Sequence, residues 1–135
     1  FDGADEVDHD NWMIKGRGAA MFNEKLNIKN ARKTYILVDE SKIVPKLGTK
    51  FPIPIEVMPQ SINYVKQELF NMGVSEMNLR MALKKDGPVI TQNGNLILDA
   101  KFNNIDQFME KKLKEVTGVV ETGLFIGYNV EIVKA

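Results

Sequence analysis

Residues Thr34 to Val38 are continuously apolar, rich in β-branched and aromatic types, and lie between segments of helical character. A run of that kind reads as a strand of a parallel sheet covered on both faces, and alternation of such strands with helices defines an α/β protein. Asp39, Ser41 and Lys42 fall just past its carboxyl end, where open α/β sheets place ligands. Lys42 reads equally well as an exposed lysine in a polar turn.

From residue 51 to about 121 the order is strand, helix, strands, helix, strand, which suits a small ferredoxin-like lobe. Phe51 to Val57 is extended, and Pro52 and Pro54 favour an edge position. Ser61 is placed to cap a helix carrying Ile62, Val65, Leu69 and Met72 at helical spacing, with Gly73 ending it. Asn78 to Leu83 reads as a strand, and Asn93-Gly94 as the turn of a hairpin between residues 88–91 and 95–98. A second helix is expected over 105–116, with Ile105, Phe108, Met109, Leu113 and Val116 on one face. Val119 to Ile126 reads as one strand and Val130 to Val133 as the last. The methionines read as core filling, and the absence of glycine-framed carboxylates in 51–121 points to structural duty for that lobe.

The chemistry concentrates in the first 25 residues. Asp2 and Asp5 flank Gly3-Ala4, small residues that permit a tight turn and a close backbone approach. Lys15-Gly16-Arg17-Gly18 precedes Ala19-Ala20-Met21, and a glycine turn opening a helix offers unpaired N–H groups to an anion. Glu24 lies about a turn and a half into that helix and can reach back over the turn. Each piece alone also has an ordinary reading: turn chemistry for the aspartates, a solvated helix residue paired with Lys25 or Lys29 for Glu24. A calcium loop starting at Asp8 fails, with Trp12, Met13 and Ala19 at positions that need a ligand, a glycine and a glutamate. His9, the single histidine, has no partner at metal-ligand spacing, so no metal site is expected.

The totals exclude several classes. Eighteen basic and eighteen acidic side chains cancel, leaving no electrostatic footprint for nucleic acid or an anionic membrane. No apolar run reaches membrane-spanning length. The chain has no cysteine, which removes thiol chemistry and suits a cytoplasmic setting.

Asp2-Gly-Ala-Asp-Glu-Val-Asp8, Lys15-Gly-Arg-Gly-Ala-Ala20 with Glu24-Lys25, Asp39-Glu-Ser-Lys42, Phe51-Pro-Ile-Pro-Ile-Glu-Val57, Asn93-Gly-Asn95 and Gly118 to Phe125 occur in one order across the chain. That series resembles ribose-5-phosphate isomerase, type A. The family usually has a third glycine where this chain has Arg17 and an aspartate where it has Gln92.

The resemblance implies reversible isomerisation of ribose 5-phosphate and ribulose 5-phosphate without cofactor or metal. It makes Glu24 the general base, with Asp2, Lys15 and Asp5 the other catalytic residues. Substrate would be held by Asp2, Gly3, Ala4, Asp5, Lys15, Gly16, Arg17, Gly18 and Lys42. It also implies a homodimer or homotetramer, and a division into a partial Rossmann-like catalytic domain (1–50 and 122–135) with a ferredoxin-like lobe (51–121) inserted.

The chain starts at Phe1, directly in the first motif. By resemblance an upstream part would supply further strands, a loop gripping the phosphate and another lysine, so this segment alone is expected to be inactive. Two other readings are a sugar-phosphate deaminase or CoA-transferase-like enzyme of similar sheet architecture, and a non-catalytic interaction module.

Overall fold

The computed structural model describes residues 1–135. Its elements in chain order are β1 (Glu6–Val7), β2 (Met13–Ile14), α1 (Met21–Asn30), β3 (Thr34–Val38), β4 (Ile53–Val57), α2 (Ile62–Asn71), β5 (Glu76–Leu79), β6 (Leu96–Lys101), α3 (Met109–Lys114), β7 (Val119–Thr122), β8 (Leu124–Phe125) and β9 (Val130–Lys134). Short 3-10 turns cover Glu40–Lys42 and Pro59–Ser61. The protein is mixed α/β.

Four strands form an antiparallel sheet in the order β5-β6-β4-β7. Alternation puts Ile53, Ile55 and Val57, with Leu98 and Ala100, on the face that packs against Val65 and Leu69 of α2 and Met109 and Leu113 of α3. The opposite face carries Pro54, Glu56 and Asp99, and it turns toward the first 25 residues. A smaller core gathers Val7, Met13, Ile28, Ile36, Val38 and Phe125. Strand β3 pairs in parallel with β9, and β2 lies between β1 and β8 in a small antiparallel sheet.

Several expectations are corrected. Strand β4 is interior to its sheet, not at an edge: the Pro54 carbonyl accepts from Gly123 N–H at 2.7 Å, so its missing donor faces the point where β7 has already ended. Residues 119–126 are two strands in different sheets, broken at Gly123. Strand β3 is buried on one face only, and Tyr35 and Leu37 alternate outward with Phe1 stacked on Tyr35. The strand expected at 78–83 is β5, ending at Leu79; Arg80 N–H still donates to the Ile97 carbonyl at 2.9 Å, and Met81 then bridges to Pro88 instead of β6. Only the second arm of the 88–98 hairpin is a strand.

Helix α3 is a six-residue piece of the expected span, and Phe108 faces solvent. Ser61 makes no side-chain cap, since a 3-10 turn already feeds α2. Met13, Met21 and Met109 fill core, but Met58 and Met81 are exposed.

Candidate active site

The site is built where α1, the turn before it and the chain entering β1 meet. Asp2 N–H donates to the Tyr35 carbonyl at 3.0 Å and Leu37 N–H to the Asp2 carbonyl at 2.8 Å, which fixes residue 2 beside β3. Asp5 N–H donates to the Ile14 carbonyl at 2.8 Å, so the Gly3-Ala4 arch spans between strands. On the other side, Lys15 N–H donates to the Gly123 carbonyl at 2.8 Å. Gly16 then takes a left-handed φ of 108°, and Ala19 follows at 63°. These two residues bend the chain into the turn that opens α1.

Asp2, Gly3, Ala4, Asp5, Lys15, Gly16, Arg17, Gly18 and Glu24 line one open depression of ≈ 270 Å³. Lys15 is its centre: the side chain is 2 % exposed, with Nζ 2.8 Å from Glu24 Oε2 and 3.1 Å from Asp2 Oδ2, and it donates to the Gly3 carbonyl. Glu24 thus pairs across the turn, with neither Lys25 nor Lys29. Burial pushes the Glu24 carboxyl above the usual carboxylate range, against the hydrogen bond and charge of Lys15, and the charges of Asp2 and Asp5 add to the rise. Asp5 is also raised, chiefly by burial; the Arg17 N–H, which donates to its Oδ2 at 3.2 Å, and the charges of Arg17, Lys42 and Lys15 oppose the shift.

Lys42 does not line this depression. It ends the 3-10 turn after β3 with its ammonium 5.3 Å from the centroid of Phe51, the ring that also carries the Arg17 guanidinium at 4.6 Å. Two cations therefore share one ring on the Asp5 side of the site.

Three charged residues that support the site escaped the sequence reading. Glu6 is buried and accepts from Gly48, Lys50 and Phe51 N–H at 2.8, 2.6 and 2.7 Å, fixing the loop that presents Phe51. Lys25 lies in the buried stripe of α1 between Met21 and Ile28 and donates to Glu110 at 2.8 Å, Glu121 at 3.1 Å and the Leu124 carbonyl at 2.9 Å. Arg80 reaches from the end of β5, in the lobe expected to have structural duty, to the carbonyls of the glycine turn. The stripe position of Lys25 was a usable signal; Glu6 and Arg80 had none at short range.

The mixed α/β scaffold thus holds three carboxylates and a buried lysine around a backbone turn, a set of groups chemically able to exchange protons. The family model for ribose 5-phosphate isomerase A (phosphoriboisomerase A) matches residues 1–135, and the chain belongs to that family. It is 50% identical over 128 residues to the ribose-5-phosphate isomerase A of Methanothermobacter thermautotrophicus, covering 93% of this chain and 56% of the relative. The Thermococcus kodakarensis protein of the same name is 52% identical over 128 residues, covering 92% of this chain and 55% of that one.

Among solved structures, a D-ribose-5-phosphate isomerase in complex with phospho-erythronic acid superposes with a TM-score of 0.91 at 46% identity, over 96% of this chain and 58% of that one. The ribose 5-phosphate isomerase A of Methanocaldococcus jannaschii gives 0.91 at 44% identity, over 98% and 60%. The chain therefore spans little more than half the length of the relatives it matches.

Proposed function

We propose that the protein interconverts D-ribose 5-phosphate and D-ribulose 5-phosphate, with Glu24 as the base that carries the proton between C2 and C1. The observation that supports this most directly is the Glu24–Lys15–Asp2 cluster, a base and a cation 2.8 Å apart beside a second carboxylate. Glu24 takes the C2 proton of the open-chain aldose, the C–H electrons form the C1–C2 double bond, and the C1 oxygen becomes an oxyanion. Glu24 then returns the proton to C1 while the O2 proton passes to O1, giving the ketose. Lys15 and the N–H groups of the 16–18 turn stabilise the developing oxyanion.

Asp2 assists opening of the furanose ring, and Asp5 binds a hydroxyl and keeps the turn in place through Arg17 N–H. Lys42 binds substrate from the Phe51 side. No cofactor or metal enters this scheme. The raised Glu24 carboxyl brings its basicity nearer to the working pH, which favours general base catalysis.

The same reading treats residues 1–50 and 122–135 as part of a Rossmann-like catalytic domain and 51–121 as a ferredoxin-like lobe. The parallel β3–β9 pair and the strand order β5-β6-β4-β7 support that division. A homodimer or homotetramer working in the cytoplasm completes it, and light scattering on the full-length protein tests the assembly.

Ketopentose formation from ribose 5-phosphate by the full-length protein tests the activity. Glu24→Gln is expected to lose at least about a hundredfold in kcat, since general base catalysis contributes on that scale, while still binding substrate. Near-normal turnover by that variant removes Glu24 from the base role, and an inert wild-type protein removes the substrate assignment.

A further inference from the structure

We infer that Arg80, held by Asp99, is a positioning residue that holds the glycine turn so that its free donor, the Gly18 N–H, is aimed at a reacting oxygen. The inference rests on the isomerase reading above and adds a part of the chain which that reading leaves out of the reaction.

Asp99 lies opposite both Asn78 and Pro54 in the sheet, on the face turned toward the site. Arg80 is two residues beyond Asn78 on the same side, and its backbone is fixed by N–H donation to the Ile97 carbonyl at 2.9 Å and by acceptance from Val89 N–H at 2.9 Å. Its guanidinium meets Asp99 in a fork, Nε to Oδ2 at 2.9 Å and Nη2 to Oδ1 at 2.6 Å. Both side chains are largely buried, so the pair is a fixed part of the wall. That leaves Nη1, and it donates to the carbonyls of Gly16 and Arg17, each at 3.0 Å.

A trans peptide sets its N–H opposite its C=O. Holding the Gly16 carbonyl therefore turns Arg17 N–H away from Arg80, and that N–H donates to Asp5 Oδ2 at 3.2 Å. Holding the Arg17 carbonyl likewise turns Gly18 N–H away from Arg80. Gly18 lines the depression, and its N–H makes no hydrogen bond within the chain. The Gly16 carbonyl also accepts from Ala19 N–H at 3.0 Å, so the guanidinium reinforces the first peptide plane, turned toward Asp5, and is the donor that holds the second, turned toward the space a substrate oxygen would fill. Lysine cannot reproduce this, because a single ammonium lacks the fork that engages a carboxylate and two carbonyls at once.

The test uses Arg80→Lys and Asp99→Asn in the full-length protein, with Leu69→Ala as a control that loosens the core of the same lobe without touching the turn. Phospho-erythronic acid is the probe, since its planar carboxylate stands in for the C1–C2 enediolate. Arg80→Lys is expected to lower kcat about tenfold to a hundredfold, below the loss of an entire oxyanion donor, with substrate KM within threefold of wild type. Affinity for the probe falls by the same factor as kcat/KM. Asp99→Asn follows in the same direction with a smaller loss, and Leu69→Ala leaves kcat per active site and probe affinity unchanged.

Wild-type kcat and probe affinity in Arg80→Lys and Asp99→Asn overturn the inference while leaving the isomerase reading intact. So does an equal loss in Leu69→Ala. A wild-type protein inert on ribose 5-phosphate fails the isomerase reading, and this inference falls with it.

Discussion

Lys15 and Gly123 meet backbone to backbone, the Lys15 N–H donating to the Gly123 carbonyl at 2.8 Å while Gly123 N–H donates to the Pro54 carbonyl at 2.7 Å. One glycine thereby fastens the site lysine, directly after β2, to the interior strand of the larger sheet. A Cβ at 123 would overlap the Lys15 carbonyl oxygen and lie 2.7 Å from Pro54 Cδ. Gly123→Ala is expected to cost about 3 kcal/mol, the upper range for overpacking. Gly94→Ala, at φ 80° with nothing within 4 Å of the new methyl, should cost only the left-handed strain of about 1–2 kcal/mol. Urea titration of both variants measures the difference, and equal midpoints would contradict this account of Gly123.

The pH dependence of kcat/KM should carry the signature of Glu24. Burial raises its carboxyl, so the active, deprotonated form is lost on the acid side at a pH above that of an ordinary glutamate. Lys15 opposes that rise, and Lys15→Met is expected to move the acid limb further up. The same variant should lower kcat/KM about 10²–10³-fold through loss of oxyanion stabilisation. An acid limb that stays in place on removing Lys15 would show that another group titrates.

Glu6 gathers three backbone donors of the loop before β4 on one buried carboxylate. Glu6→Ala strands all three, and hydrogen bonds to a charged group are worth about 1.5–3 kcal/mol each before relaxation. A loss of about 3–5 kcal/mol is expected, with faster hydrogen exchange at the amides of Gly48, Lys50 and Phe51. Unchanged exchange there would mean the loop is held by other contacts.

Glu121 supplies a stability term that depends on acid. Burial alone would raise its carboxyl, but the Lys25 charge, the Thr122 N–H and the Lys25 hydrogen bond outweigh it and hold it below the usual value. A carboxylate lowered on folding contributes stability fully present above its unfolded pKa and lost as pH falls through the folded one. Glu121→Gln should therefore flatten the acid limb of the stability curve, measured as urea midpoints from neutral pH to below pH 4, the pH range in which ordinary carboxylates titrate.

How legible these features were depended on the distance over which their cause acts. The strand at 34–38 and the helix over 62–71 follow from local period and composition, and the gathering of Asp2, Asp5, Lys15 and Glu24 was readable from motif order. The split at Gly123 was not, because the residues around it, Thr122 and Leu124, are both strand-like and differ only in which sheet they join. Arg80 and Glu6 look like solvated charges until folding brings up partners far along the chain, and the stripe position that marks Lys25 for burial does not name its partners, Glu110 85 positions away and Leu124 99 away. Pro54 misled for a related reason: whether a missing N–H matters depends on the neighbour opposite, and there β7 has run out.

Glu24 and Lys25 are adjacent on α1 yet engage separate sets of partners, one gripping Lys15 and the other Glu110, Glu121 and the Leu124 carbonyl. Successive helical residues are about 100° apart, so neither contact can be relaxed by rolling the helix without breaking the other. The pair acts as a register lock: a one-residue slip would carry Glu24 out of the depression and put Lys25 or Asn23 in its place, a cation or a neutral amide where a base is wanted. Fidelity of the proposed proton transfer is thus written into a side chain that never faces the ligand.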